Sequence, residues 1–195
     1  MIYNDIIYGS ASPSDFEINK IELAARLNTD INFENELLSE CIEEFNKVVN
    51  YKYAYVRVPV SIANDVCDFD FANVKSASLS RVLSDSKEVF IVAFSTGIEV
   101  DRLITKLYLK KDPSAFFIDS IGSAAIESFA DYINEKMCQN LNTTNRFSPG
   151  YADFPLDFQR DLIARINANQ TVGITINNEL FMTPMKSITA IIGIK

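Results

Sequence analysis

The sequence predicts a single α+β domain, on three observations. Residues 51–60 alternate, with Tyr51, Tyr53 and Tyr55 on one side and Lys52, Ala54 and Val56 on the other, the period of a half-buried strand. Residues 89–94 and 188–194 are almost wholly apolar, as in strands covered on both faces. Residues 33–49 and 112–141 instead repeat apolar side chains at helical spacing. No repeat, low-complexity tract or linker divides the chain, so one domain spanning 1–195 is expected.

Bulk properties narrow the function classes. A net charge of −8 disfavours nucleic acid, which requires basic surface to displace counterions, and disfavours an anionic membrane surface. No apolar run is long enough to span a bilayer, and no basic segment followed by an apolar run opens the chain, so a cytoplasmic location is expected. Histidine is absent, which removes the commonest general base and the commonest transition-metal ligand. Cys41, Cys67 and Cys138 are far apart and form no CxxC pair, so reduced thiols are expected rather than a zinc or dithiol centre. No phosphate-binding glycine motif is present. Demanding chemistry would therefore belong to a ligand or a partner.

Taken in order, residues 1–13 read as extended, with Ile6, Ile7 and Tyr8 available to pack. Ser14 and Glu17 form a capping-box pattern ahead of a helix ending near Leu27, with Ile18, Ile21, Ala25 and Leu27 as its apolar stripe. A second helix is predicted over 33–49, where Leu38, Cys41, Ile42 and Phe45 face inward and Glu36, Glu40, Glu43 and Glu44 face out. That acidic run is either a solvated face or a partner surface. The strand over 51–60 should end, or lie at an edge, at Pro59. Its tyrosines are either a one-sided core or a stacking platform. Val66, Phe69 and Phe71 suggest a short strand, 78–83 a helical turn, and 87–95 a buried strand. Thr96 and Gly97 lead into a helix over 98–111, either as a plain turn or as an anion-binding one. Asp112 and Pro113 are natural N-cap and first-turn residues for the longest helix, which could run to about Leu141. Glu127 sits in its middle among apolar and small residues, and is either exposed, paired or a ligand for an amine or hydroxyl.

Residues 146–155, Arg-Phe-Ser-Pro-Gly-Tyr-Ala-Asp-Phe-Pro, break the regular pattern. Two prolines and a glycine exclude a helix or a central strand. The result is a shaped loop presenting Arg146 and Tyr151, suited to a small anionic planar ligand or simply an irregular turn. A helix over 156–167, a hairpin of 172–176 with 180–182 about Asn177 and Asn178, and a final strand over 188–194 complete the chain.

Four segments, in order, resemble the activation (S-adenosylmethionine-binding) domain of cobalamin-dependent methionine synthase. Arg146-Phe-Ser-Pro-Gly-Tyr151 is similar to the family's Arg-x-x-x-Gly-Tyr loop. Val172-Gly-Ile-Thr-Ile176 resembles its Gly-x-x-Leu-Thr strand, and Met182-Thr-Pro-Met-Lys-Ser-Ile-Thr189 its Met-x-Pro-x-x-Ser-Val-Ser pattern. Ile126-Glu-Ser-Phe-Ala-Asp-Tyr132 resembles its Ala-Glu-Ala-Phe-Ala-Glu helix. The likeness covers roughly residues 115–195. It implies a twisted, mainly antiparallel, C-shaped sheet with helices at its ends. It also implies that S-adenosylmethionine serves as methyl donor for reductive methylation of cobalamin carried by a partner. That partner would be a cobalamin-binding methionine synthase or another corrinoid protein, supplied with electrons by a flavodoxin-type donor.

Under the resemblance, Arg146 would hold the methionine carboxylate, where a guanidinium fork suits the geometry. Glu127 would favour the ligand's ammonium or sulfonium, and Ser148, Gly150 and Tyr151 would line it. Departures are also visible. Ala152-Asp-Phe-Pro155 replaces the family's Pro-x-Cys-Pro, Asn134 stands where the family has histidine, and the family's N-terminal ligand aspartate has only Asp65, Asp68 and Asp70 as candidates. The 195 residues hold no counterpart of the substrate and cobalamin domains or of the family's later tyrosine. The resemblance thus implies a free-standing accessory subunit acting in trans, or a docking and scaffold module on the same fold with a degenerate ligand site.

Overall fold

The structure is a computed structural model and describes residues 5–28 and 36–195. Six strands form one antiparallel sheet in the order β4 (Asn73–Lys75), β3 (Val66–Phe69), β2 (Tyr51–Ala63), β5 (Glu88–Ser95) and β8 (Ser187–Ile194), with β1 (Ile7–Ala11) also paired to β2. The sheet curls into an open half-barrel. Helices α1 (Lys20–Leu27), α2 (Glu36–Val48), α4 (Ile98–Leu109) and α5 (Ser114–Met137) share one apolar core with Tyr51, Phe90, Phe94 and Ile192. On the other face, α3 (Ala77–Val82), α6 (Gln159–Arg165) and α7 (Ala168–Thr171) close over Val56, Val58, Val89 and Ile91. β5 thus sends alternate residues into two different cores, which is why its sequence is apolar without a break. The remaining strands, β6 (Thr175–Ile176) and β7 (Met182–Thr183), form a separate small hairpin. No helix of the described residues is long and apolar enough to cross a membrane.

The structure corrects several sequence expectations. The pattern at Ser14 and Glu17 does not start a helix. Asn19 caps α1 instead, its Oδ1 accepting from the amides of Ile21 (3.0 Å) and Glu22 (3.2 Å). The preceding chain is committed elsewhere: Asn19 donates its amide to Ser128 Oγ at 2.9 Å, and Phe16 packs on Tyr51 and Phe129. Leu23 and Leu27 are the buried residues of α1, and Ile21 points to solvent. Residues 33–35 of the second predicted helix lie outside the described residues, and the rest matches α2.

Pro59 does not end β2; it takes the edge alternative, but only locally, at a gap between two strands that pair with β2. Val60 donates its amide to Lys87, on the β5 side, so the neighbouring Pro59 nitrogen faces the opposite edge. On that edge β1 stops at Tyr55 and β3 starts at Val60, so no strand needs a donor from Pro59. The tyrosines of β2 are a one-sided core: Tyr51 is buried, and its ring lies 4.9 Å from that of Phe129. The long helix stops at Met137 rather than 141, and Asp112 Oδ1 accepts the Ser114 amide at 2.9 Å as its first-turn cap. The helix predicted over 156–167 divides into a 3-10 turn (Leu156–Phe158) and α6, ending where Asn167 turns left-handed (φ 50°). The final hairpin is shorter than predicted. Gly173 (φ 77°) and Leu180 (φ 68°) take the chain out of strand geometry, and Asn177 Oδ1 closes the turn by accepting from Glu179 and Phe181.

Candidate functional site

A cleft of about 650 Å³ opens between α5, the segment 143–151 and the free edge of β8. Its size falls within the roughly 300–1,000 Å³ of small-molecule pockets. The loop is laid along β8 as an irregular extra strand. Phe147 and Ile191 exchange both backbone bonds (2.9 and 3.0 Å), and Thr144 bonds Gly193 through its amide (2.9 Å) and its hydroxyl (2.8 Å). Past Phe147 the loop turns away. Tyr151 donates its amide to Ser148 (3.1 Å), and Gly150, at φ 91°, donates to Phe154 (2.8 Å). Phe154 is buried between the rings of Phe147 and Phe158. Asp153 then ties the loop to α3, accepting from Ser76 Oγ (2.8 Å) and the amides of Ala77 (2.8 Å) and Ser78 (3.0 Å). Those bonds, the Ser76 hydroxyl first, hold the Asp153 carboxyl well below the usual carboxylate range.

Four of the five residues singled out by sequence meet here: Glu127, Arg146, Ser148 and Tyr151 line the cleft. Gly150 does not. It turns the backbone behind the wall, where an added Cβ would meet Leu156 at 3.3 Å as well as the positive φ. Arg146 is already forked, its Nη2 donating to Glu127 Oε2 at 2.8 Å and its Nη1 to Asp131 Oδ1 at 2.7 Å. The two carboxylates lie one turn apart on α5, so they share a face. Glu135, one turn further on, also lines the cleft. Three carboxylates against one guanidinium give the wall a net charge of −2. Such a wall favours a cationic ligand group.

Sequence reasoning missed three polar side chains around the β8 edge, Asn134 on the α5 side and Ser187 and Thr189 on the other face of the strand. Asn134 Oδ1, Ser187 Oγ and Thr189 Oγ1 all belong to cleft-lining residues, are shielded from solvent, and have no hydrogen-bond partner among the described residues. Thr189 is only 2% exposed. Ser187 and Thr189 were legible only as parts of a motif, and Asn134 only as a departure from one. Apolar surface is supplied by Met182, Ile188 and Ile192, and Tyr151 stands half-exposed with its ring edge-on to Phe147. Burial pushes the Cys138 thiol up, only partly opposed by a bond with Thr143, which favours the protonated form of the one cysteine on the wall.

The other candidates lie elsewhere. Asp65, Asp68 and Asp70 do not line the cleft, and Asp70 pairs with Arg165 at 3.2 Å. The Gly97 amide bonds Ser95 Oγ at 3.1 Å, so that amide is committed within the turn before α4. No group of three His, Cys, Asp or Glu among the described residues is arranged to hold a metal.

No family model matches this sequence, and no curated protein matches it. Among solved structures, the chain is similar to a crystal structure of the MetH reactivation domain bound to AdoHcy, with a TM-score of 0.73 and 13% identity over 98% of this chain and 79% of that one. At that identity the likeness is one of fold. The chain thus has the fold of the MetH reactivation domain, with a cleft formed by its α5, its β8 edge and the loop between them.

Proposed function

We propose that this chain is a reactivation subunit for a cobalamin-dependent methionine synthase or a related corrinoid protein, and that its cleft binds S-adenosylmethionine. The observation that carries this reading is the convergence of Arg146, Glu127, Ser148 and Tyr151 on one cleft, in a fold shared with a domain crystallised with AdoHcy. The residues suit the ligand. Arg146 is placed to take the carboxylate once it exchanges at least one of its two acidic partners. The stripe of Glu127, Asp131 and Glu135 favours the ammonium and sulfonium. When the methyl group leaves, the sulfonium becomes a neutral thioether, and the acidic wall then holds the product less strongly than the donor. Cobalamin carried by the partner, with electrons from a flavodoxin-type donor, would supply the methyl acceptor. This chain needs no general base for that role. Its work is binding and orientation.

A second reading, a docking or scaffold module with a degenerate site, is favoured by one observation: both arms of the Arg146 fork are already occupied by carboxylates of the same chain. Calorimetric titration with S-adenosylmethionine and S-adenosylhomocysteine separates the two. Binding of both, tighter for the sulfonium, supports the reactivation subunit. Failure to bind either, with or without a corrinoid protein, together with recovery of a corrinoid protein in a pulldown, selects the docking module.

A further inference from the structure

The far side of β1 is an open strand edge. Val60, and Asn50 just before β2, donate their amides to Lys87 and Thr96, toward β5. In an antiparallel ladder, alternate residues direct N–H and C=O to the same side, so Tyr51, Tyr53 and Tyr55 turn theirs to β1. Their partners are Ala11, Gly9 and Ile7. The N–H and C=O of Tyr8 and Ser10 therefore point away from the sheet. No strand pairs with them, and no other group bonds them, among the described residues. Ser12, the next residue with that orientation, is already closed off: its amide bonds Asp15 Oδ2 at 2.8 Å and its carbonyl takes the Asp15 amide at 3.0 Å. Edge strands are usually blunted by charge, proline or a covering segment. Here residues 6–14 carry no charge, and Pro13 lies beyond the strand. Ile7 and Tyr8 are 48% and 65% exposed.

We propose that this edge pairs with β1 of a second copy of the chain, antiparallel across a two-fold axis at Gly9. The edge is complementary to itself. The register that pairs both free residues within β1 sets Tyr8 of each copy opposite Ser10 of the other, and each such pair exchanges both of its backbone bonds. Gly9 then meets Gly9 of the second copy at the close, non-bonded position, where two side chains would otherwise crowd. Electrostatics agree with a copy as the occupant, although each chain carries a net charge of −8. Asp5, which flanks the uncharged stretch, falls at the register position of Pro13 in the other copy and so opposes no like charge. The closed-off Ser12 ends the ladder just past Ser10, which keeps the joint short and the association concentration-dependent. Each copy has one such edge, so the assembly closes as an isologous dimer. β1 and β8 are opposite ends of the order β1-β2-β5-β8, so both clefts stay open in the pair.

Sedimentation velocity of the full chain over a concentration series reads the association, and amide hydrogen exchange at low and high concentration reads the edge. The parent is expected to pass from monomer to dimer as concentration rises. In the dimer the Tyr8 and Ser10 amides should exchange about tenfold or more slowly than in the monomer, while those of Gly9 and Ala11, already bonded to β2, stay unchanged. Ser10→Pro removes an amide that β2 does not use, so it should melt like the parent at a dilution where both are monomeric, and dimerise about tenfold or more weakly. A parent that stays monomeric overturns the proposal, as does one that grows beyond a dimer. A dimer whose Tyr8 and Ser10 amides exchange as fast as in the monomer overturns it too, whatever the variant does. Amides that slow only when a corrinoid protein is added, in a chain monomeric by itself, assign the edge to a strand of that protein and remove the second copy.

Discussion

The loop 146–155 carries a charged residue near each end, and the structure uses them differently. Asp153 spends its carboxylate on Ser76, Ala77 and Ser78, so every strong bond it makes joins the loop to α3. Arg146 also has two partners, but both sit on the wall of a cleft whose lining residues include three with buried polar atoms that have no partner among the described residues. A set of polar groups that satisfies itself is a joint. A set that leaves buried atoms unsatisfied beside open space is prepared for something else. The difference separates structure from site within ten residues of chain.

Breaking the loop's anchor should have the largest effect. Phe154→Ala removes a buried ring packed between Phe147 and Phe158, and a loss of roughly 3–5 kcal/mol in urea unfolding is expected, with ligand binding lost as the loop detaches. An unchanged unfolding midpoint would show that the loop is held by its polar bonds instead.

Next comes Arg146→Ala. Binding of S-adenosylmethionine should weaken about a hundredfold by calorimetry, as for a lost charge-assisted fork, while the stability loss should stay below that of Phe154→Ala, because both carboxylates it frees can reach solvent. A large stability loss with intact binding would reverse the roles assigned to the two ends of the loop.

The Asp153 end is tested by pH. Its folded-state value is depressed, so its contribution to stability is fully present above the ordinary carboxylate range and is lost as pH falls through the depressed value. Asp153→Asn should lower the urea midpoint at neutral pH and flatten its fall on acidification. A parallel acid limb in parent and variant would remove Asp153 as the source.

Asp101 supplies the smallest effect and the opposite sign. Burial pushes its carboxyl up, against the amide bond from Met185 (2.7 Å) and the charge of Lys186, and its Oδ1 lacks a partner. Its favourable contribution is therefore complete below the ordinary carboxylate range and declines as pH rises through the raised value. Asp101→Asn should make stability less dependent on pH in that window while leaving it nearly unchanged at low pH. Midpoints of parent and variant that differ by a constant at every pH would contradict this.

Much of the fold was legible locally. Strand period, apolar runs and the Asp112–Pro113 start each act over a few residues, and β2, β5, β8 and α5 stand close to where those signals put them. The misreadings share a cause. The Ser14–Glu17 pattern is sound local chemistry, but Ser128, 109 residues from Asn19, holds the chain in another course. Pro59 looked like a terminator because its missing donor matters only if a strand needs it, and strand pairing is not a local property.

The site divides the same way. The sequence alone determined that Arg146 and Tyr151 sit on a shaped loop, that Glu127 lies mid-helix, and that the chain is acidic and without histidine. Tertiary structure alone decided that Arg146 pairs with Glu127 and Asp131, that Gly150 turns the loop instead of lining the cleft, and that Asn134 of α5 comes to the same β8 edge as Ser187 and Thr189. Residue type and spacing set what a backbone segment prefers. Which donors find acceptors depends on segments that meet only once the chain has folded, and those left unmatched are visible only then.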